Sequence, residues 1–334
     1  MTAFDIPVVL FLFKRKDSAL KVIDRLRAHA PQKLYLLSDE GRDEEERRLV
    51  AEVRSAVENA INWDCEVIKN YAPVNRGVFE NIGLGAKWVF EREKWAIFLE
   101  DDNVPETTFL AYCRELLLRY EHTPEILWIC GTNYLEDYTP ANQASYMFTR
   151  HLLPCGWASW GAKFNKYYDV HLDSVHDAAE LQRIRARYEN KALFRQQLRS
   201  VQAERERLEQ GRGFFSWDYH MAWTLRRHDL LGISPAQNQI RNVGADEHAE
   251  HGGTSLDQEM TRRFCGMDSR VLAFPLHHPS EITPDRQYEH KIAKIILLPF
   301  TARLKSQARQ MLGKVFRIDD DTSITTSVRE RLRR

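Results

Sequence analysis

Three consecutive carboxylates, Glu100-Asp101-Asp102, follow directly on the apolar run Trp95-Ala-Ile-Phe-Leu99. Carboxylates this close repel one another unless a cation relieves them. An all-oxygen donor set suits Mg2+ or Mn2+, which complete their coordination with phosphate oxygens of a substrate. The competing reading is an acidic turn in which Asp102 or Asn103 caps the following helix, assisted by Thr107 or Thr108. Asp218 is a second chemical candidate. Set between Trp217 and Tyr219, it is placed to serve as a general base, although Ser216 or Asp218 capping a helix over residues 219–227 explains the same pattern. In Asn75-Arg76-Gly77, Arg76 is suited to phosphate. In Leu153-Pro-Cys-Gly-Trp157, Gly156 permits close backbone approach and the Trp157 indole offers a flat face for a sugar ring. The core is the commoner place for such an indole.

The elements that must position these groups follow from the hydrophobic pattern. Residues 6–13 form a continuous apolar run, as expected of a strand buried on both faces. Asp17 is expected to cap a helix carrying Leu20, Val22, Ile23 and Leu26. Lys33-Leu-Tyr-Leu-Leu37 is a second strand and Cys65-Glu-Val-Ile68 a third; between them lies a charged helix with Leu49, Val53 and Val57 on one face. Residues 75–91 read as a helix, 95–99 as a fourth strand, 108–121 as a helix and 125–130 as a further strand. This alternation predicts an α/β fold, with a mostly parallel sheet and helices on both faces. Ligands of such sheets collect at the carboxyl ends of the strands. Those ends carry Lys14 and Arg15, Asp39, Asn75-Arg76-Gly77, and the acidic triplet.

Composition narrows the function classes. The 334 residues contain 48 Lys plus Arg and 48 Asp plus Glu, so the net charge is zero and nucleic acid is not expected as a partner. The 43% hydrophobic content supports a large core. The longest apolar runs are too short to span a bilayer. Asp5 before the first run and Lys14-Arg15-Lys16 after it reverse the charge order of a signal peptide. Five scattered cysteines without a CxxC fit a reducing compartment. A cytoplasmic protein is the expectation.

Six segments in order resemble the GT-A-fold glycosyltransferases, most closely the inverting N-acetylglucosaminyltransferase I type and its bacterial relatives. They are Phe13-Lys14-Arg15, Leu37-Ser38-Asp39, Asn75-Arg76-Gly77, Leu99-Glu100-Asp101-Asp102, Leu153-Pro154-Cys155-Gly156-Trp157 and Ser216-Trp217-Asp218-Tyr219. The likeness runs, with gaps, over residues 6–260. It implies a GT-A (Rossmann-like) fold and a metal-dependent transfer from a nucleotide-sugar donor, a UDP-sugar first, to a glycan or lipid-linked acceptor. By the same resemblance Phe13, Arg15, Asn75 and Arg76 border the nucleotide, and Asp39 accepts a hydrogen bond from the uracil ring. Asp102 holds Mn2+ or Mg2+ against the diphosphate, with His251 or His248 as a further ligand from a polar loop. Asp101 meets the ribose, Glu100 the donor sugar, Gly156 and Trp157 the floor beneath donor and acceptor, and Asp218 is the catalytic base.

The expected domain is residues 1–290, with a nucleotide-binding half at 1–103 and a helical insertion at 165–212 that exceeds the family pattern. Residues 291–334 form a basic C-terminal helical tail, with Leu304, Ala308, Met311, Leu312, Val315 and Phe316 on one face. Such a helix suits either an anionic membrane surface, as peripheral attachment at the inner face, or the protein's own domain. Two alternatives stand beside the transferase: a sugar-phosphate nucleotidyltransferase, disfavoured by the absence of glycine in residues 13–17, and a non-catalytic membrane-associated scaffold on a degenerate domain.

Overall fold

The computed structural model describes residues 4–244 and 259–302. The first apolar run becomes β1 (Val8–Leu12), buried throughout because successive side chains enter opposite cores. Val8, Leu10 and Leu12 pack with α1 (Lys16–Arg27), α2 (Glu44–Ala60) and α4 (Phe109–Arg119). Val9 and Phe11 pack on the other face with α3 (Gly85–Phe90), α8 (Trp217–Arg227) and α10 (Arg286–Ile296). The fold is α/β, a central sheet with helices on both faces.

The eight-stranded sheet has the order β3-β2-β1-β4-β8-β6-β9-β7. Its first four members, β3 (Glu66–Tyr71), β2 (Lys33–Ser38), β1 and β4 (Trp95–Glu100), are all parallel. Next, β8 (Trp157–Trp160) runs antiparallel between β4 and β6 (Ile126–Cys130). β9 (Leu231–Pro235) is parallel to β6, and β7 (Tyr146–Thr149) closes the edge antiparallel to β9. A separate ribbon pairs β5 (Asn103–Pro105) with β10 (Ile240–Asn242), setting Asn103 opposite Asn242.

Several local expectations change. Asp17 does not cap α1, which begins at Lys16 with Arg15 at the cap position and no side-chain capping bond. Val50, rather than Leu49, joins Val53 and Val57 in the core. The helix expected from residue 75 starts later, as a π-helical turn Phe79–Leu84 continuing into α3, because residues 75–77 are bound to Asp39. Asp102 and Asn103 cap nothing: β5 separates them from α4.

The 165–212 stretch does form helices. After α5 (Gly161–Tyr167) come a 3-10 turn at Asp173–His176, α6 (Ala178–Ala186) and α7 (Lys191–Glu209). Asp177 and Asn190 cap α6 and α7 through their side chains. Ile184, Tyr188, Phe194 and Val201 form a third apolar cluster with Trp223 of α8 and Ala293 of α10. A short α9 (Glu259–Cys265) follows the ribbon. The expected boundary at 290/291 falls inside α10, whose Tyr288 and Ile292 belong to the main core. The tail residues from 303 onward lie outside the described residues. Among the described residues no helix is long and apolar enough to cross a membrane.

Candidate functional site

Because β1, β2, β3 and β4 are parallel, their carboxyl ends share one edge, where a cleft of about 1000 Å³ opens. Phe13, Arg15, Asp39, Asn75, Arg76 and the triplet Glu100-Asp101-Asp102 line its strand-end wall. The register aligns Phe11 of β1 with Glu100 of β4. Asp101 therefore reaches back across β1, its Oδ2 accepting the Phe13 backbone N–H at 2.9 Å. The Arg15 guanidinium lies 3.7 Å from Asp101 Oδ1 and 3.4 Å from Asp102 Oδ2.

Asp102 is buried and its position is fixed from several sides. Its Oδ1 accepts from Asn103 Nδ2 at 2.5 Å and from Asn242 Nδ2 at 3.3 Å. Its carbonyl accepts the Val243 N–H at 2.9 Å. Gly244 sits so close that a Cβ there would fall 2.1 Å from Asp102 Oδ2, so only glycine permits this approach. Burial first, then the charges of Asp102 and Asp101, raise the Glu100 carboxyl well above the usual range; Arg15 opposes the shift and Asp218 adds to it. Asp101 is raised as well, chiefly by burial and then by Asp102, against Arg15 and the Phe13 N–H.

These residues suit a hard divalent cation. Their donors are carboxylate oxygens gathered at one strand end beside the Arg15 guanidinium. Among the described residues no three His, Cys, Asp or Glu side chains converge as a complete cage. A cation at Asp102 would therefore share its coordination with ligand oxygens.

Asp39 has a different task from the one its position suggested. Its Oδ1 accepts the N–H groups of Glu40 and Arg76, each at 2.9 Å. Its Oδ2 accepts the Gly77 N–H at 2.8 Å and Asn75 Nδ2 at 3.1 Å. Four donors fill a carboxylate's acceptor capacity, so in this arrangement Asp39 builds the Asn75-Arg76-Gly77 turn and has no lone pair left for a base ring. The turn presents Arg76, whose terminal nitrogen donates to Asn81 Oδ1 at 3.3 Å while its Nε is buried without a partner.

The facing wall comes from α7, α8 and the segment between them. Ser216 is the N-cap of α8 and its Oγ accepts the Tyr219 N–H. The Ser216 hydroxyl also donates to Asp218 Oδ1, whose charge is felt at Glu100. Capping and chemistry are thus not alternatives here: Ser216 caps, and Asp218 faces the cleft. Behind them Glu204 of α7, 4% exposed, accepts the N–H groups of Phe215 and Ser216.

Gly156 and Trp157 do not line the cleft. Trp157 is 2% exposed, stacked on Phe98 at 3.9 Å and Trp128 at 4.1 Å, with Trp217 at 5.9 Å. Its flat faces are covered by other rings, which corrects the expectation that it meets a sugar. Gly156 is a packing glycine at φ +58, where a Cβ would lie 2.4 Å from Ile240, and its N–H donates to Asn103 Oδ1 at 2.8 Å. His248 and His251 lie outside the described residues. Asn242, Glu204, Arg207 and Phe215 carry no signal singled out in the sequence, and Asn103 stood there only as a helix cap. One signal was available: Glu204 is a carboxylate on the apolar face of a helix, three residues after Val201 and four before Leu208.

No family model and no curated protein matches the chain. Among solved structures, the Pyrobaculum calidifontis mannosyltransferase PcManGT, in complex with GDP-Man and Mn2+, shares 10% identity at TM-score 0.37, over 66% of this chain and 69% of that one. S. aureus TarS 1-349 shares 8% at TM-score 0.37, over 78% and 70%. A UDP-glucose pyrophosphorylase complexed with UDP-glucose shares 8% at TM-score 0.33, over 71% and 92%. Likenesses this slight carry no weight for family or activity; the site itself must.

Proposed function

We propose that this chain is a metal-dependent GT-A-type glycosyltransferase. It would move a sugar from a nucleotide-sugar donor, a UDP-sugar first among candidates, to a hydroxyl of a glycan or lipid-linked acceptor, with inversion. One observation carries the reading: a carboxylate cluster at a parallel strand end and a second carboxylate, Asp218, line the same cleft.

Each residue then has a task. Arg15 and Arg76 offer N–H donors to the donor's phosphate oxygens. Asp102 would hold Mn2+ or Mg2+ together with the diphosphate, and the bound ion supplies Lewis-acid stabilisation of the leaving group. Ser216 fixes Asp218 through Oδ1, leaving Oδ2 to take the acceptor's hydroxyl proton. The acceptor oxygen forms its bond to the anomeric carbon as the bond to the diphosphate breaks, and the electron pair leaves with the diphosphate. In the proposed displacement, attack and departure occur on opposite faces of the sugar, which inverts the anomeric centre. The segment 13–17 lacks the glycines that a nucleotidyltransferase loop favours. The basic segment beyond residue 299 is part of the same proposal, as a peripheral contact to anionic lipid near a lipid-linked acceptor.

The deciding experiment is a thermal-shift panel of nucleotide sugars with and without Mn2+, since a ligand that binds the native state raises its apparent stability. Stabilisation by a UDP-sugar that depends on Mn2+ is expected. A panel in which no nucleotide sugar moves the transition, with or without metal, removes the transferase.

A further inference from the structure

The two walls of the cleft differ in chemistry, and the volume of about 1000 Å³ stands at the upper end of the range for one small-molecule site. The strand-end wall is acidic. The wall built by α7, α8 and the segment between them carries Arg207, Arg212, Phe215 and Tyr219 beside Asp218. The carboxylate of Glu204, on the same helix face, is buried and occupied by backbone N–H groups.

Phe215 and Tyr219 line the cleft and are 44% and 43% exposed. The Arg207 guanidinium lies over the Phe215 ring at 5.5 Å. Its Nε is shielded from solvent without a hydrogen-bond partner, and its charge is felt at Glu204. The exposed area of these aromatic rings suits the apolar side of a sugar ring. A guanidinium with an unpartnered Nε–H suits a phosphate or carboxylate.

We propose that this wall is the acceptor subsite and that it selects a saccharide bearing an anionic group. The sugar ring lies on Phe215 and Tyr219, the anion meets Arg207 with Arg212 beside it, and the accepting hydroxyl points at Asp218. The proposal rests on the transferase reading. It adds the substrate class and gives the inserted helix α7 a function. The anion comes either from the sugar itself, as a uronate, or from a lipid diphosphate; both offer the same oxygens.

Isothermal titration at saturating UDP and Mn2+ separates these sources. Octyl glucuronide is compared with octyl glucoside, and farnesyl diphosphate with farnesol, on wild type, Arg207→Ala, Arg207→Lys and Phe215→Ala. The anionic member of at least one pair is expected to bind on the order of tenfold more tightly. R207A should erase that preference and R207K should keep part of it. F215A should weaken the neutral and charged glycosides alike. Preference in the glucuronide pair places the anion on the sugar; preference in the farnesyl pair places it on a lipid. Equal binding within both pairs, or a preference that survives R207A, overturns the proposal. The heat of UDP binding, measured on each variant, reports an intact fold. If UDP gives no heat while the Arg207-dependent preference persists, the transferase reading fails and the anionic saccharide site stands.

Discussion

Glu204 holds Ser216: the buried carboxylate on α7 accepts the Ser216 N–H at 3.3 Å and the Phe215 N–H at 2.7 Å, and Ser216 in turn holds Asp218. Glu204 is thus a positioning residue for the proposed base. Glu204→Ala should lower kcat on the order of 10²-fold, the scale of a displacement of about 1 Å at a reacting group, while leaving the donor KM unchanged. Glu204→Gln keeps an accepting oxygen and should recover most of the rate. Steady-state kinetics on both variants is the check, and an equal loss in the two would refute positioning through that acceptor.

Asp218→Asn preserves shape and removes the proton acceptor. Mn2+-dependent UDP binding should persist while transfer falls by roughly 10²- to 10⁴-fold, the usual worth of a general base. A fully active D218N enzyme assigns the base elsewhere.

Asp102→Ala removes the carboxylate placed to share a cation with the donor. UDP should then stabilise the protein equally with and without Mn2+ in a thermal-shift measurement. Retention of the metal-dependent increment would sink the assignment.

Trp157→Ala tests the core placement of that ring. A cavity among Phe98, Trp128 and Trp217 should cost about 3–5 kcal/mol in denaturant unfolding. A sugar-binding indole would instead cost affinity at nearly unchanged stability.

His151 and His220 are pushed down from 6.5 to about 4, in both cases mainly by burial. An unfolded chain protonates them near 6.5, so below that pH it binds more protons than the native state does. Their contribution is complete above about pH 6.5 and is lost as pH falls through 6.5 toward 4. The loss is on the order of 3 kcal/mol for each by the end of that window. Imidazole NMR titration of the folded protein should show both rings still neutral at about pH 5.5; a ring that protonates near its ordinary 6.5 would contradict the placement.

The parts of this molecule that were legible in the sequence are those in which one residue type admits one environment. Continuous apolar runs such as residues 8–12 can only be buried strands, and parallel pairing then brings Arg15, Asp39, Asn75 and Asp102 to one edge. Three adjacent carboxylates are conspicuous whatever surrounds them. Ambiguity entered where one side chain suits two environments. Trp157 stacks equally well on a sugar or on Phe98, and nothing local distinguishes the two. Asp39 was placed at the right edge, yet its partners include backbone N–H groups at Arg76 and Gly77, which leave no trace in side-chain identity. Glu204 was hidden among the many charges of α7, because only the tertiary fold shows which carboxylate is turned inward.

The stack of rings beneath the cleft has an optical consequence. Trp128, Trp157 and Trp217 lie within 4.1 to 6.0 Å of one another, close enough for their excited states to couple. Trp217 ends the series at the cleft wall, next to Asp218. A ligand that shifts the α8 terminus by a fraction of an ångström alters that coupling, so near-ultraviolet circular dichroism reads occupancy of the cleft without any label.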